Sequence, residues 1–150
     1  MPRNRLPIEV DRRVREAGRN RCGYCLSPQN LVMARLEIEH ILPRAKGGTD
    51  EESNLWLSCP LCNRYKADRT VARDPETGEV TALFNPRLQV WSEHFRWSAD
   101  GLRIIGQTPV GRATVLPRQV SSACCCILTR RASEGSASEP ALARRKICEI

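Results

Sequence analysis

Two pairs of cysteines, Cys22-x-x-Cys25 and Cys59-x-x-Cys62, constrain this 150-residue chain more than any other feature. A Cys-x-x-Cys turn aims two thiolates at one side of a tight loop, where both reach the same cation. Two such pairs complete the tetrahedral sulfur shell of a structural zinc site. A redox dithiol is the poorer reading, because neither pair sits in a strand–helix–strand pattern. With cysteine at every position, a bound Zn²⁺ has no open site, so it holds structure rather than doing chemistry. The spacing predicts that it clamps a β-hairpin to a helix starting near Pro60. Iron in the same shell is the alternative. Cys124, Cys125, Cys126 and Cys148 lack the spacing and are not read as ligands.

Composition explains why a clamp is needed. Hydrophobic residues make up 41% of the chain and aromatics 5%, which implies a small apolar core. Small cores commonly depend on a metal or disulfide staple. Twenty-four Lys and Arg against 17 Asp and Glu give a net charge of +7. That balance favours anionic partners, nucleic acid first and an acidic membrane second. The basic start "MPRNRLPIEVDRR" has no apolar run after it, and no stretch approaches a membrane-spanning length. The chain reads as cytoplasmic and not membrane-bound, and eight cysteines in that setting favour metal over disulfides.

Around the cysteine pairs the pattern reads strand, loop, strand, helix. Val32, Ala34, Leu36 and Ile38 alternate with Met33, Arg35 and Glu37, which predicts a strand over 31–38 with one buried face. Residues 43–54 form a polar loop, "LWLS" at 55–58 a second strand, and "PLCNRYKADR" from Pro60 a helix. Upstream, residues 7–18 predict a helix with Pro7 at its start, a partial apolar face of Ile8, Val10, Val14 and Ala17, and Gly18 as its stop. Arginines 12, 13, 15 and 19 line its wetter sides. Downstream, "DPETG" at 74–78 is a turn, and "VTALF", "LQVWSEHFRW", "LRIIG" and "ATVL" predict short strands, with "ADG" as a hairpin turn. Residues 120–150 are rich in Ser and Ala without sustained periodicity and read as disordered or loosely attached. The expected organisation is a helical segment over 1–20, a zinc-stapled core over 21–72, a β-rich extension over 73–119 and an irregular tail over 120–150.

Between the cysteine pairs lies "EIEHILPRAKGG", which sets Glu39 beside His40, one of two histidines in the chain, ahead of a basic loop. The Glu39 carboxylate and the Asn63 amide oxygen are hard donors that suit Mg²⁺ or Mn²⁺ better than zinc. His40 has the side chain best suited to act as a general base near neutral pH. The Gly-Gly step lets backbone approach a phosphate, and Arg44 and Lys46 bring charge to it. An acid, a base and a basic loop around oxygen donors match metal-assisted phosphodiester hydrolysis. Glu37 reads as a solvent-facing strand residue, and Trp56 as core or a cover for the hairpin.

The stretch "EIEHILPRAKGGTDEESNLWLSCPLCNRYKAD" resembles the HNH endonucleases, the ββα-metal nuclease group, over roughly residues 22–68. The resemblance rests on the acid–His–x–x–Pro step, the Gly-Gly loop, the N-L-x-x-L stretch and the C-x-x-C-N-x-x-K helix start. It implies an α+β fold, a ββα-metal (treble-clef-like) core stapled by a four-cysteine zinc site, and metal-dependent cleavage of DNA. On that pattern His40 is the general base, Glu39 and Asn63 hold the catalytic Mg²⁺ or Mn²⁺, and Asn54 ties the loop together and orients the base. Asn63 stands where a final histidine is common, which gives an H-N-N pattern, and Glu39 stands where aspartate is commoner. Arg44, Lys46, Arg64 and Lys66 are candidate phosphate contacts. The segment "LFNPRLQVWSEHFRWSADGLRIIGQTPVGRATV" resembles the region after the motif in small bacterial HNH proteins, and its His94 reads as structural. A non-catalytic zinc-knuckle module that binds nucleic acid is the alternative function. A homodimer or a partner protein would fit a chain without a separate recognition domain.

Overall fold

The computed structural model describes residues 6–115; the tail expected at 120–150 lies outside the described residues. The fold is α+β, with short antiparallel hairpins and short helices sharing one core of Val14, Leu36, Leu55, Leu57, Phe84 and Phe95 together with the buried cysteines. At its centre, β1 (Glu37–His40) pairs antiparallel with β2 (Leu55–Ser58), with Glu37 opposite Ser58 and His40 opposite Leu55. Helix α2 (Pro60–Lys66) follows at once and packs on both strands. This is the expected strand–strand–helix order of a ββα-metal core. Pro60 sits in the first turn of α2, and the Cys59 sulfur caps it by accepting from the amide of Cys62.

Helix α1 (Ile8–Ala17) buries Val14 and packs against β2. Its arginines are largely engaged: Arg12 pairs with Glu9 and Glu16, Arg13 with Glu52, and Arg15 with Asp11. Gly18 ends the helix for a reason of packing rather than conformation. Its φ is −78°, and a Cβ there would lie 3.1 Å from a Leu57 methyl. The left-handed residues are the next two, Arg19 and Asn20.

The strand predicted over 31–38 begins only at Glu37. Gln29 opens a short 3-10 turn (Gln29–Leu31), and its side chain accepts from Leu36 N at 2.7 Å and donates to Ala34 O at 3.1 Å. A side chain thus satisfies this backbone where a neighbouring strand would otherwise have to. Val32 and Leu36 are buried while Ala34 between them is exposed, so the alternation read from the sequence is not kept.

Beyond α2, β3 (Val71–Arg73) and β4 (Val80–Ala82) form a hairpin around the predicted turn at 74–78. Helix α3 (Trp91–His94) interrupts the stretch whose pattern predicts a single strand, and β5 (Phe95–Trp97) then pairs with β6 (Ile104–Gly106). The "ADG" turn closes that pair, with Gly101 at φ +68° and Asp100 accepting from Leu102 N. Where a strand is expected at "ATVL", Ala113 and Thr114 instead end a helix, α4 (Pro109–Thr114). Thr108 Oγ1 accepts from Gly111 N, and Pro109 fixes the first turn, so capping chemistry outweighs the β-branched residues. A Cβ on Gly111 would lie 2.1 Å from the carbonyl oxygen of His94, so only glycine lets α4 come this close.

Arg112 ties α4 to the β3–β4 turn, pairing with Asp74 and with Glu76. Arg112 donates to both oxygens of Asp74, at 2.8 and 2.7 Å, and Asp74 is 0% exposed. The hydrogen bonds from Arg112 hold the Asp74 carboxyl far below the ordinary carboxylate range. A depressed acid stabilises the fold fully above its unfolded-state pKa of about 4 and loses that contribution as pH falls toward the folded value. Asp74→Asn should therefore lower the Tm of the zinc-loaded protein. Followed by circular dichroism, the gap to wild type should be flat between about pH 6 and 8, where the Asp74 carboxylate is ionised in the folded and the unfolded chain alike.

Candidate active site

The four paired cysteines converge. Their sulfurs all lie within 4.8 Å of one another, and Cys22, Cys25 and Cys59 are buried. A tetrahedral shell with Zn–S bonds of about 2.3 Å has edges of about 3.8 Å; Cys25 Sγ and Cys59 Sγ stand 3.8 Å apart. The donor set and its spacing fit zinc. Each knuckle is joined to the central hairpin. Gly23 N donates to Leu57 O at 2.9 Å, and a Cβ on Gly23 would strike the Trp56 indole at 2.3 Å. The second knuckle runs from the end of β2 into α2.

A polar triad adjoins the cysteine cluster. Glu39 is 4% exposed, and its carboxylate accepts from Tyr24 Oη on one oxygen and from Lys66 Nζ at 3.0 Å on the other. Lys66 also donates to the His40 carbonyl at 2.9 Å. Burial raises the Glu39 pKa, and Lys66 and Tyr24 oppose that shift. Burial and the neighbouring Glu39 charge push the Tyr24 hydroxyl well up, so it stays a donor. Lys66, read from the sequence as a phosphate contact, is 7% exposed and points into the protein.

His40, at the end of β1, meets the loop. Its Nε2 lies 2.7 Å from Asp50 Oδ1. Arg44 reaches the same carboxylate, with Nη2 at 2.6 and 2.7 Å from its two oxygens. The bonds from His40 and Arg44 hold the Asp50 carboxyl below its ordinary value. Arg44 remains exposed, but its charge is balanced. The loop is tied internally by Asn54: Oδ1 accepts from Leu42 N at 2.8 Å, and Nδ2 donates to the carbonyls of Leu42 and Thr49. Those bonds bind the loop backbone, and the contact to the imidazole comes from Asp50. The two glycines serve loop closure. Gly47 caps a short 3-10 turn (Arg44–Lys46) at φ +86°, and a Cβ on Gly48 would lie 1.7 Å from Leu42 O.

Asn63, in the first turns of α2, donates from Nδ2 to Glu37 Oε2 at 2.6 Å. Of the two strand carboxylates, Glu37 is the exposed one and the one that touches Asn63, whereas Glu39 turns inward. Lys46 and Arg64 are exposed. Trp56 is covered by Arg87, whose guanidinium lies 4.8 Å from the ring centroid while its Nε donates to Leu55 O. His94 Nδ1 meets Thr108 Oγ1 at 2.7 Å, at the N-terminus of α4 and away from the motif. Sequence reasoning missed Tyr24 and Asp50. Tyr24 sits between the two cysteines of the first knuckle, a position that tells of a turn rather than of a partner, and Asp50 is one acid among several in the loop.

Residues 22–69 match the family model described as HNH endonuclease. That span contains both knuckles, β1, β2 and α2, so the match and the ββα core coincide. It indicates nuclease-type activity or nucleic-acid binding. No curated protein and no solved structure matches the chain. Among the described residues no helix is long and apolar enough to cross a membrane.

The purified protein should carry one zinc per chain by elemental analysis. Cys59→Ala should lose both the metal and the folded state at 25 °C by circular dichroism, since structural zinc supplies on the order of 10 kcal/mol of folding free energy in small metallodomains.

Proposed function

We propose that this chain is a metal-dependent DNA endonuclease that hydrolyses phosphodiester bonds, with His40 as general base. One observation carries the reading: inside the HNH segment, the imidazole at the end of β1 is fixed at one ring nitrogen and partly open to solvent beside a basic loop. A base must be held in place to take a proton from water in line with the scissile bond. Lys66 pins the backbone carbonyl of His40, and the loop pins its ring. Arg44, Lys46 and Arg64 lie exposed within the same segment and suit a phosphate backbone.

The reading implies Mg²⁺ or Mn²⁺, and the chemistry of the oxygen donors in this segment suits such an ion. Asn63 and the carboxylates of Glu37 and Glu39 are hard oxygen donors, and each Glu39 oxygen keeps a lone pair beyond its bond to Tyr24 or Lys66. Glu39 and Asn63 would hold the ion, which supplies Lewis-acid stabilisation of the charge that grows on the phosphate. The role left to Asn54 is to keep loop and strand end in register, so that the imidazole does not swing away during the reaction.

A second reading, a zinc-knuckle module that binds nucleic acid without cutting it, draws on the inward turn of Glu39, whose charge Lys66 already balances. Plasmid cleavage separates the two. With Mg²⁺ or Mn²⁺ the protein should nick or linearise supercoiled DNA, and His40→Ala should lose at least about a hundredfold in rate while keeping its zinc. Equal DNA binding by both proteins with no cleavage under either ion would favour the binding module.

A further inference from the structure

Asp50 meets one ring nitrogen of His40. Three nitrogens crowd one carboxylate oxygen: His40 Nε2 at 2.7 Å, Arg44 Nη2 at 2.6 Å and Arg44 Nε at 2.9 Å from Oδ1. An ionised carboxylate only accepts hydrogen bonds. A contact of 2.7 Å therefore requires the imidazole hydrogen to be on Nε2. Arg44 Nε also lies 3.1 Å from His40 Nε2, but a protonated Nε2 has no lone pair to offer, so that N–H belongs to Asp50. With its hydrogen on Nε2, an imidazole that carries one proton has its lone pair on Nδ1.

We propose that Asp50 is a positioning residue that holds His40 in the Nε2–H tautomer and leaves Nδ1 to accept the proton from water. This rests on the reading of His40 as general base. Two further observations support a dedicated arrangement. Asp50 is delivered by a loop whose backbone Asn54 ties at three points, so the carboxylate arrives from a fixed frame. Arg44 holds the carboxylate by a two-oxygen grip, which stops it rotating away from the ring. The second histidine uses a different partner: His94 meets a hydroxyl, which can donate or accept and so fixes no tautomer by itself.

The test separates positioning from DNA contact. Asp50 is an anion beside an arginine, so its removal does not cost a phosphate contact and frees the guanidinium. For Asp50→Asn, kcat should fall by about ten- to a hundredfold, the size of effect that follows loss of the outer hydrogen-bond partner of a metal-bound histidine. KM for DNA should stay the same or drop, and zinc content and Tm should stay as in wild type. Asp50→Glu should recover part of the lost kcat. Nitrogen NMR of the two imidazoles, recorded at about pH 8.5 where an ordinary histidine is neutral, reads the tautomer without any cleavage. In wild type, His40 should be protonated at Nε2, and Asp50→Ala should shift it toward a mixture while His94 stays unchanged. An unchanged kcat in Asp50→Asn, a raised KM with unchanged kcat, or the same His40 signals in wild type and Asp50→Ala would each overturn the assignment. A wild type that shows the tautomer coupling but cuts nothing would instead overturn the general-base reading, and with it any part for Asp50 in catalysis.

Discussion

The central hairpin is too small to stand alone. Each of its strands has four residues, and a two-stranded ribbon of that length is at best marginal in water. What makes it a scaffold is the set of four cysteines gathered between its flanking loop and the helix that follows. Zinc in such a shell contributes on the order of 10 kcal/mol or more, comparable with the whole net stability of a typical domain of about 5–15 kcal/mol. A zinc ion held by these four cysteines would therefore decide whether β1, β2 and α2 hold together at all. Leu55 and Leu57 from β2, Val14 from α1 and Phe84 and Phe95 from the later segment close around the cysteines as one core.

The polar triad is the next constraint, because it places charge where burial disfavours it. Glu39 and Lys66 are both almost fully inaccessible, and each depends on the other for compensation. Losing one partner leaves an unpaired buried charge, a defect of about 3–5 kcal/mol, whereas an apolar pair of like volume could be neutral. The ion pair is thus a weak explanation of stability and a better one of geometry. Tyr24 links it to the first knuckle, Lys66 to the helix, and the second hydrogen bond of Lys66 to the carbonyl of His40. Three separate elements meet at the residue next to the proposed base, so the strand end cannot move without breaking this set.

How much the sequence made legible depends on the range of each interaction. Cys-x-x-Cys is a local turn, so both knuckles and the four-sulfur cluster that could hold zinc were legible from spacing alone, and the β–β–α order came from periodicity and Pro60. The failures were at places where a side chain competes with the backbone or a contact spans the chain. Gln29 delayed the first strand by binding residues that alternate like a strand. Thr108 and Pro109 turned a β-branched stretch into a helix. Lys66 looked like a phosphate contact because it is a cation in a motif; its inward direction depends on Glu39, which lies far away in the sequence and one strand away in space. Asp50 was hidden for the same reason, since only the path of the loop brings it to the ring.

That path is itself a consequence of small, specific features. Gly48 comes so close to the Leu42 carbonyl that any side chain would force the strands of the loop apart, and Gly47 takes a left-handed turn that L residues rarely adopt. Asn54 then satisfies backbone groups on both sides of the closure, which turns a polar loop into a rigid one. A loop without regular structure thereby acquires the precision of a scaffold element, and a proposed active site on it gains the fixed geometry that chemistry needs. The loop's asparagine and glycines do their work on the backbone, and their effect on the imidazole passes through the placement of Asp50. A substitution at Asn54 or Gly48 would therefore act on the site through geometry, with no loss of a group that touches DNA or the reacting atoms.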